Sequence, residues 1–284
     1  MNCINYAALF LVICGLHFSL FANDIITIPS NLPVQNNQQK SEMFQLGEEL
    51  EYSVHYSFFT IGTVRFKITN QEKRRERIIY KAQAIMDSNP SLSWLVDLHI
   101  RFYSEIDQDA YTHGWLSEDS SQRGIFYQKM MFDYPRQIMY YQTGKKLPTG
   151  EYIPNYNDTI EISDKCQDGL TLFYHARAHS LEKGRKMIPT FINTKPMMTH
   201  INFGVEHQEE EIDALDYPLD VIKLNGYANF VGIFGLTGGF EGVFSNDIAS
   251  IPLTARMKVI LGSVRVELRN WKRGGWIPPR STLK

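Results

Sequence analysis

The chain has 284 residues, 43% hydrophobic, 13% aromatic and 21% charged. That composition suits one large globular domain or two small ones and excludes fibrous and disordered classes. The 29 Lys and Arg against 31 Asp and Glu leave a formal net charge of -2, so no charge excess points to nucleic acid.

Residues 7–22, AALFLVICGLHFSLFA, carry no Asp, Glu, Lys or Arg and are followed at once by Asn23 and Asp24. The run is shorter than the roughly 20 apolar residues of a membrane span and has the length of a signal-peptide core. Cleavage after Ala22 is expected, giving an exported, periplasmic protein; the alternative is an apolar segment retained as an anchor. Cys3 and Cys14 fall in this leader, so Cys166 becomes the sole cysteine of the cleaved chain. An intramolecular disulfide and a cysteine-rich zinc module are then excluded. Residues 23–43 are rich in Asn, Gln, Ser and Pro and read as a flexible linker, with order expected from about Phe44.

From Leu50 the chain alternates. Leu50, Tyr52, Val54, Tyr56 and Phe58 face one way, and Glu51, Ser53, His55 and Ser57 the other. After Gly62 the alternation resumes with Val64, Phe66 and Ile68. A period of two in β-branched and aromatic residues predicts half-buried antiparallel strands. The charged run 71–77 reads as a solvated hairpin end before a strand at 78–86. Residues 89–98 read as a short helix or covering loop. Strands are predicted at 99–107, 123–134 and 137–142; residues 158–162 are too short to classify. The chain then gives one helix, 168–183, with Leu170, Phe173, Tyr174, Arg177 and Leu181 at helical spacing and Gly184 as its stop. Further strands are predicted at 186–193, 197–206, 219–226, 239–244, 253–260 and 263–269.

Many strands, one main helix and no strand–helix–strand rhythm argue against a parallel doubly wound sheet. The expected fold is mainly β, in the α+β class. It is a large curved antiparallel sheet or incomplete β-barrel, whose concave face holds a ligand or is plugged by the helix.

In order along the chain, Phe44, Gly47, Glu48, Leu50, Tyr52, Val54, Gly62 and Val64 are followed by Tyr103, Ser104 and Asp107. Then come Asp168, Leu170, Thr171 and Arg177; Gly239, Phe240, Gly242, Phe244, Asp247, Ile251 and Pro252; and Gly262, Ser263, Val264 and Leu268. This ordered set resembles the domain of unknown function 3108 family of exported bacterial proteins. The resemblance covers about residues 44–268 and implies an exported protein with a mainly β domain and no established activity. Phe244 stands where the family more often has Trp. Residues 270–284 lie outside the pattern and read as a basic C-terminal tail.

Candidate chemistry is sparse. His175 and His179 share a helix face, but a third ligand is missing, so no metal site and no cofactor are predicted. There is no G-x-S-x-G. Cys166 sits before the helix, where a helix dipole could lower its pKa, although a small residue near a helix start is the preferred account. The glycines of GLTGGFEG, residues 235–242, lack the pattern of a phosphate loop. Of the carboxylates, Glu48, Asp107, Asp168 and Asp247 stand out, and two of them held roughly 5–10 Å apart would suit glycoside cleavage. Structural roles are preferred: Asp168 as a helix cap, Asp247 as a turn residue, and Glu48 as an ion-pair partner of Arg177. Gly47, Glu48, Asp107, Asp168, Asp247, Pro252 and Gly262 are therefore assigned to structural motifs, and no catalytic residue is assigned.

The 15 Tyr, 17 Phe and 4 Trp are the more informative feature. A sheet face rich in Tyr and Phe can line a cavity for an acyl chain. Tyr52, Tyr56, Phe66, Phe102, Phe132, Arg177 and Phe234 are the candidate ligand-facing residues. The apolar, glycine-hinged run 230–236 is a candidate lip over such a cavity or a membrane contact, and reads equally as a buried strand. The leading expectation is a non-enzymatic binder of a hydrophobic or amphipathic envelope ligand, such as a lipid. The alternatives are an envelope glycan hydrolase and a structural or assembly factor meeting membrane or envelope proteins.

Overall fold

A computed structural model describes residues 42–92, 97–121, 123–192, 194–228, 238–259 and 262–282. The signal-peptide and linker assignments up to residue 41, and the run 230–236 with Phe234, lie outside the described residues.

The strands are β1 (Glu49–Tyr56), β2 (Phe59–Arg74), β3 (Arg77–Ser88), β4 (His99–Asp107), β5 (Thr112–Ser121), β6 (Gly124–Asp133), β7 (Ile138–Lys146) and β8 (Tyr152–Glu161). After the helix α1 (Gly169–His179) come β9 (Gly184–Ile192), β10 (Lys195–Glu210), β11 (Leu219–Ala228), β12 (Gly238–Ser245), β13 (Pro252–Lys258) and β14 (Ser263–Lys272). They form one sheet in the order β8-β7-β6-β5-β4-β3-β2-β1-β14-β13-β12-β11-β10-β9. Two meanders, β1 to β8 and β9 to β14, are thus joined where β1 pairs antiparallel with β14. The sheet has two edges, β8 and β9, and is not closed into a barrel.

This topology gives the sheet two unlike ends. The connections β1–β2, β3–β4, β5–β6, β7–β8, β9–β10, β11–β12 and β13–β14 all leave from one end, here the tip end. Pairs such as Tyr56 with Phe59, Ala228 with Gly238 and Lys258 with Ser263 close strands there. The chain between β8 and β9, with α1, belongs to the opposite, helix end.

Helix α1 starts where it does because Asp168 accepts hydrogen bonds from the backbone N–H of Leu170 and Thr171, at 2.7 and 3.0 Å. Its side chains pack on three sides. Leu170, Tyr174 and Ala178 join the core laid down by β2 to β7, while Leu172 and Ala176 pack on the core of β9 to β12. Phe173 stacks on Phe66 of β2 at 4.0 Å between ring centroids. The helix is shorter than the predicted 168–183, because Ser180 caps it and Gly184, at φ +112°, already opens β9.

Two strands escape the alternation rule. In β5, Glu118 is buried beneath its partners Lys146 and Tyr152 although it faces away from the helix, so its sequence shows no polar–apolar alternation. Strand β8 is an edge whose residues are nearly all exposed, so no burial pattern marks it. Charged run 71–77 is mostly strand, and the hairpin tip is only Arg75–Glu76, with Arg75 at φ +58°.

Both chain boundaries need correction. Met43, assigned to the linker, is fully buried in the core. Residues 270–282 are not a free basic tail. β14 runs to Lys272, Arg273 donates to the Glu48 carboxylate and to the carbonyls of Glu42 and Met43, and Trp276 Nε1 donates to Asp247 at 2.8 Å. Ser281 N–H donates to Pro218 O at 2.9 Å. The segment is a strap across the helix end; Arg273 serves a buried carboxylate and two carbonyls, whereas Lys272 and Arg280 are exposed, Arg280 lying over the Tyr217 ring.

Candidate functional site

The four singled-out carboxylates all sit at the helix end, and each is engaged by the fold. Glu48, which precedes β1, receives a two-pronged hydrogen bond from Arg177, at 2.6 and 3.0 Å, and a further one from Arg273. Arg177 also donates to Ala249 O at 3.1 Å. Asp168 accepts from Ser104, Thr112 and Thr171 hydroxyls, at 3.0, 2.8 and 2.6 Å. Burial pushes the Asp168 carboxyl up from its ordinary range, against the pull of those donors. Asp107 is buried too, but His113 and the Tyr111 backbone N–H hold it below its ordinary value. Asp247 accepts from Ser245 and from the backbone of Ala249 and Ser250, all at 3.0 Å, which fixes the β12–β13 turn.

These bonds pin α1 across the curved sheet. Its start is held by β4 and β5, its end by the residue before β1, and Ser180 donates to Ser250 at 2.6 Å beside β13. The helix therefore occupies the inner face at this end. Several candidate ligand-facing residues are consumed by it. Tyr52 is buried against Phe173 and donates its hydroxyl to Pro252 O at 2.9 Å. Phe66 lies flat on Phe173. Phe102 stacks on Trp115 and Phe132 meets Phe191, both inside the core. Arg177, proposed from sequence as ligand-facing, is 0% exposed and committed to Glu48. A buried guanidinium needs a fixed counter-charge, which the sheet supplies.

His175 and His179 are also interior: their rings lie 4.3 Å apart, His175 contacts Gln167, and His179 contacts Glu182 and Lys186. Burial raises the Cys166 thiol to about 12, so the helix-dipole effect considered from the sequence is outweighed.

Tyr174 is fully buried at this centre and its hydroxyl has no hydrogen-bond partner among the described residues. An unpaired buried hydroxyl loses its water without recompense. Tyr174→Phe is therefore expected to leave stability unchanged or raise it by up to about 1 kcal/mol, read from urea unfolding. A loss above that size would reveal a partner for the hydroxyl.

Towards the tip end the inner face uncovers. Along β1, Leu50 and Tyr52 are 0% and 2% exposed, whereas Tyr56, on the same face, is 39% exposed. Along β6, Met130 is 1% exposed and Phe126 37%. Phe59, paired with Tyr56, is exposed, and Phe240 and Met257 are half-buried beside it. On the other side Ile100, Asp119, Phe126 and Lys145 form one cross-strand row on the inner face, with Lys145 Nζ 5.2 Å from the Phe126 ring centroid. Burial raises the Asp119 carboxyl from its ordinary value.

Of the sequence candidates among the described residues, only Tyr56 stands at this open half. Phe126 shares the strand parity of the candidate Phe132, so extending the alternation by six residues would have found it. Phe59 was hidden because a register irregularity at Val54/His55 and the tight turn at Ser57, φ +55°, break the count between β1 and β2.

In fold, the chain is similar to a β-barrel-like protein of domain of unknown function DUF1849 from Brucella abortus. The TM-score is 0.51 at 8% identity, covering 80% of this chain and 97% of that one. A weaker likeness, TM-score 0.32 at 8% identity, links it to a candidate exported protein with a YmcC-like fold from Bacteroides fragilis, over 81% of this chain and 97% of that one. No curated protein matches the sequence. Residues 51–269 match the family described as protein of unknown function (DUF3108), and the chain belongs to that family.

Proposed function

We propose that this is an exported, non-enzymatic envelope protein that holds a hydrophobic or amphipathic ligand, such as a lipid, against the tip-end half of its inner face. The observation that carries the reading is the gradient of exposure along single strands: apolar side chains on one face are sealed by α1 at one end and uncovered at the other. An apolar surface with a few polar groups at its border is the usual form of a small-molecule site. Tyr56, Phe59, Phe126, Phe240 and Met257 supply the apolar surface. Asp119 and Lys145 stand at its border, where an amphipathic ligand would place its polar end. Export is supported by the apolar run at residues 7–22.

Organic extraction of the purified protein followed by mass spectrometry tests this reading. The expected result is an acyl-bearing molecule recovered well above a control protein of equal size, and depleted in Phe126→Asp. Recovery at the control level overturns it. Export is checked separately, by N-terminal sequencing of the secreted material, which should begin at Asn23.

A further inference from the structure

We infer that the tip end of the sheet docks on an anionic lipid bilayer, with the β1–β2 hairpin as its inserting element. All three exposed phenylalanines among the described residues, Phe58, Phe59 and Phe126, lie at this end. Phe58 is 83% exposed at the apex of a two-residue turn, and its ring lies 4.4 Å from that of Phe59 between centroids. Nothing about a hairpin turn requires aromatics; Asn, Asp and Gly are the residues such turns favour. A pair of phenylalanines presented to solvent is a cost in water and a gain in the headgroup region of a bilayer.

The neighbouring hairpin supplies the charge. Gly262, in the β13–β14 turn, leans on Tyr56: a Cβ there would lie 3.4 Å from the Tyr56 hydroxyl. That contact brings the two tips side by side. Next to them Arg256 and Lys258 are exposed, and neither has an ion-pair partner among the described residues. Aromatic side chains flanked by uncommitted cations are the composition of an interfacial anchor on anionic lipid.

The helix end lacks this combination. Its exposed apolar residues include Leu46, Tyr140, Met187, Ile248 and Ile277 but, among the described residues, no phenylalanine, and its β2–β3 tip is the charged pair Arg75–Glu76. The docking shares Phe59 and Phe126 with the ligand surface proposed above, but a bilayer contact by the tips requires nothing bound inside, so vesicle binding and ligand recovery are read separately.

Co-sedimentation of the full chain with phosphatidylethanolamine vesicles, with and without phosphatidylglycerol, is the test. Wild type should bind, and bind better with phosphatidylglycerol. Phe58→Ser/Phe59→Ser should weaken partitioning about tenfold or more with an unchanged circular dichroism spectrum. Lys258→Glu should weaken it about fivefold or more on the anionic vesicles only. Ile277→Ser, equally exposed but at the helix end, should change nothing. Absence of wild-type binding overturns the inference, as does equal binding by the folded double variant. Self-association in sedimentation velocity that the same double substitution abolishes, without vesicle binding, would assign the tips to a second copy instead.

Discussion

Glu48→Ala is expected to cost about 3–5 kcal/mol or more of folding stability, and to be the most damaging single substitution at the helix end. Glu48 is 1% exposed and is the shared counter-ion of two guanidiniums, Arg177 at 0% exposure and Arg273 at 7% for its side chain. Taking two charges out of water is tolerable only while the opposite charge is in contact. Removing Glu48 leaves two cations facing each other with only carbonyls, those of Ala249, Met43 and Glu42, to receive them. Arg177→Met should cost less, because Glu48 keeps Arg273. Arg273→Ala should cost least, because the Arg177 pair survives. A Glu48→Leu/Arg177→Met double variant should recover part of the Glu48→Ala loss, since neither buried charge then lacks a partner from that pair. Urea unfolding at neutral pH measures all four. A Glu48→Ala loss under about 1 kcal/mol would mean that water reaches this centre.

Deletion of residues 271–284 is expected to destabilise the protein by about 5 kcal/mol or more, although those residues lie beyond the family match, which ends at 269. The deletion removes Trp271 and Trp276, which pack on the core of β1 and β11 to β14 and on each other at 5.5 Å. It also removes Arg273 from Glu48 and the Trp276 indole N–H from Asp247, and so loosens the turn that receives Ser180. A fully buried Trp is worth about 3–5 kcal/mol, so these two half-buried ones together with the lost ties account for a loss of that size, and a domain of this size loses roughly 2–4 °C of Tm per kcal/mol. A fall in Tm of about 10–20 °C, or loss of soluble protein, is the expected outcome of thermal unfolding. A Tm within about 3 °C of the full chain would show the strap to be ornamental. Trp276→Ala alone, a milder lesion, keeps the comparison measurable if the truncated chain does not fold.

What was legible in the sequence follows from how locally each feature is determined. The period of two in β1 to β4 and in β14 could be read because those strands bury one face and wet the other. The helix start could be read because Asp168 caps it within its own neighbourhood. β5 and β8 could not be read. One hides a carboxylate on its outer face with partners about thirty residues away, and the other has almost no buried residue to set a rhythm. The aromatic candidates were chosen for residue type and strand parity. Parity placed Tyr52, Phe66, Phe102 and Phe132 on the inner face, but it does not say how far along that face the helix reaches.

The sequence by itself determined that this chain is built of antiparallel strands with one capped helix, because pleat, periodicity and capping are properties of neighbouring residues. Tertiary structure decided which end of the inner face is filled and which is open. That depends on a few buried polar joints, Glu48 with Arg177, Asp168 with Ser104 and Thr112, and Ser180 with Ser250, whose partners lie 56 to 129 residues apart. Their geometry exists only once the sheet has curved around the helix, which is why Arg177 reads in sequence both as a ligand-facing residue and as a partner of Glu48, and only the fold makes it a buried tie.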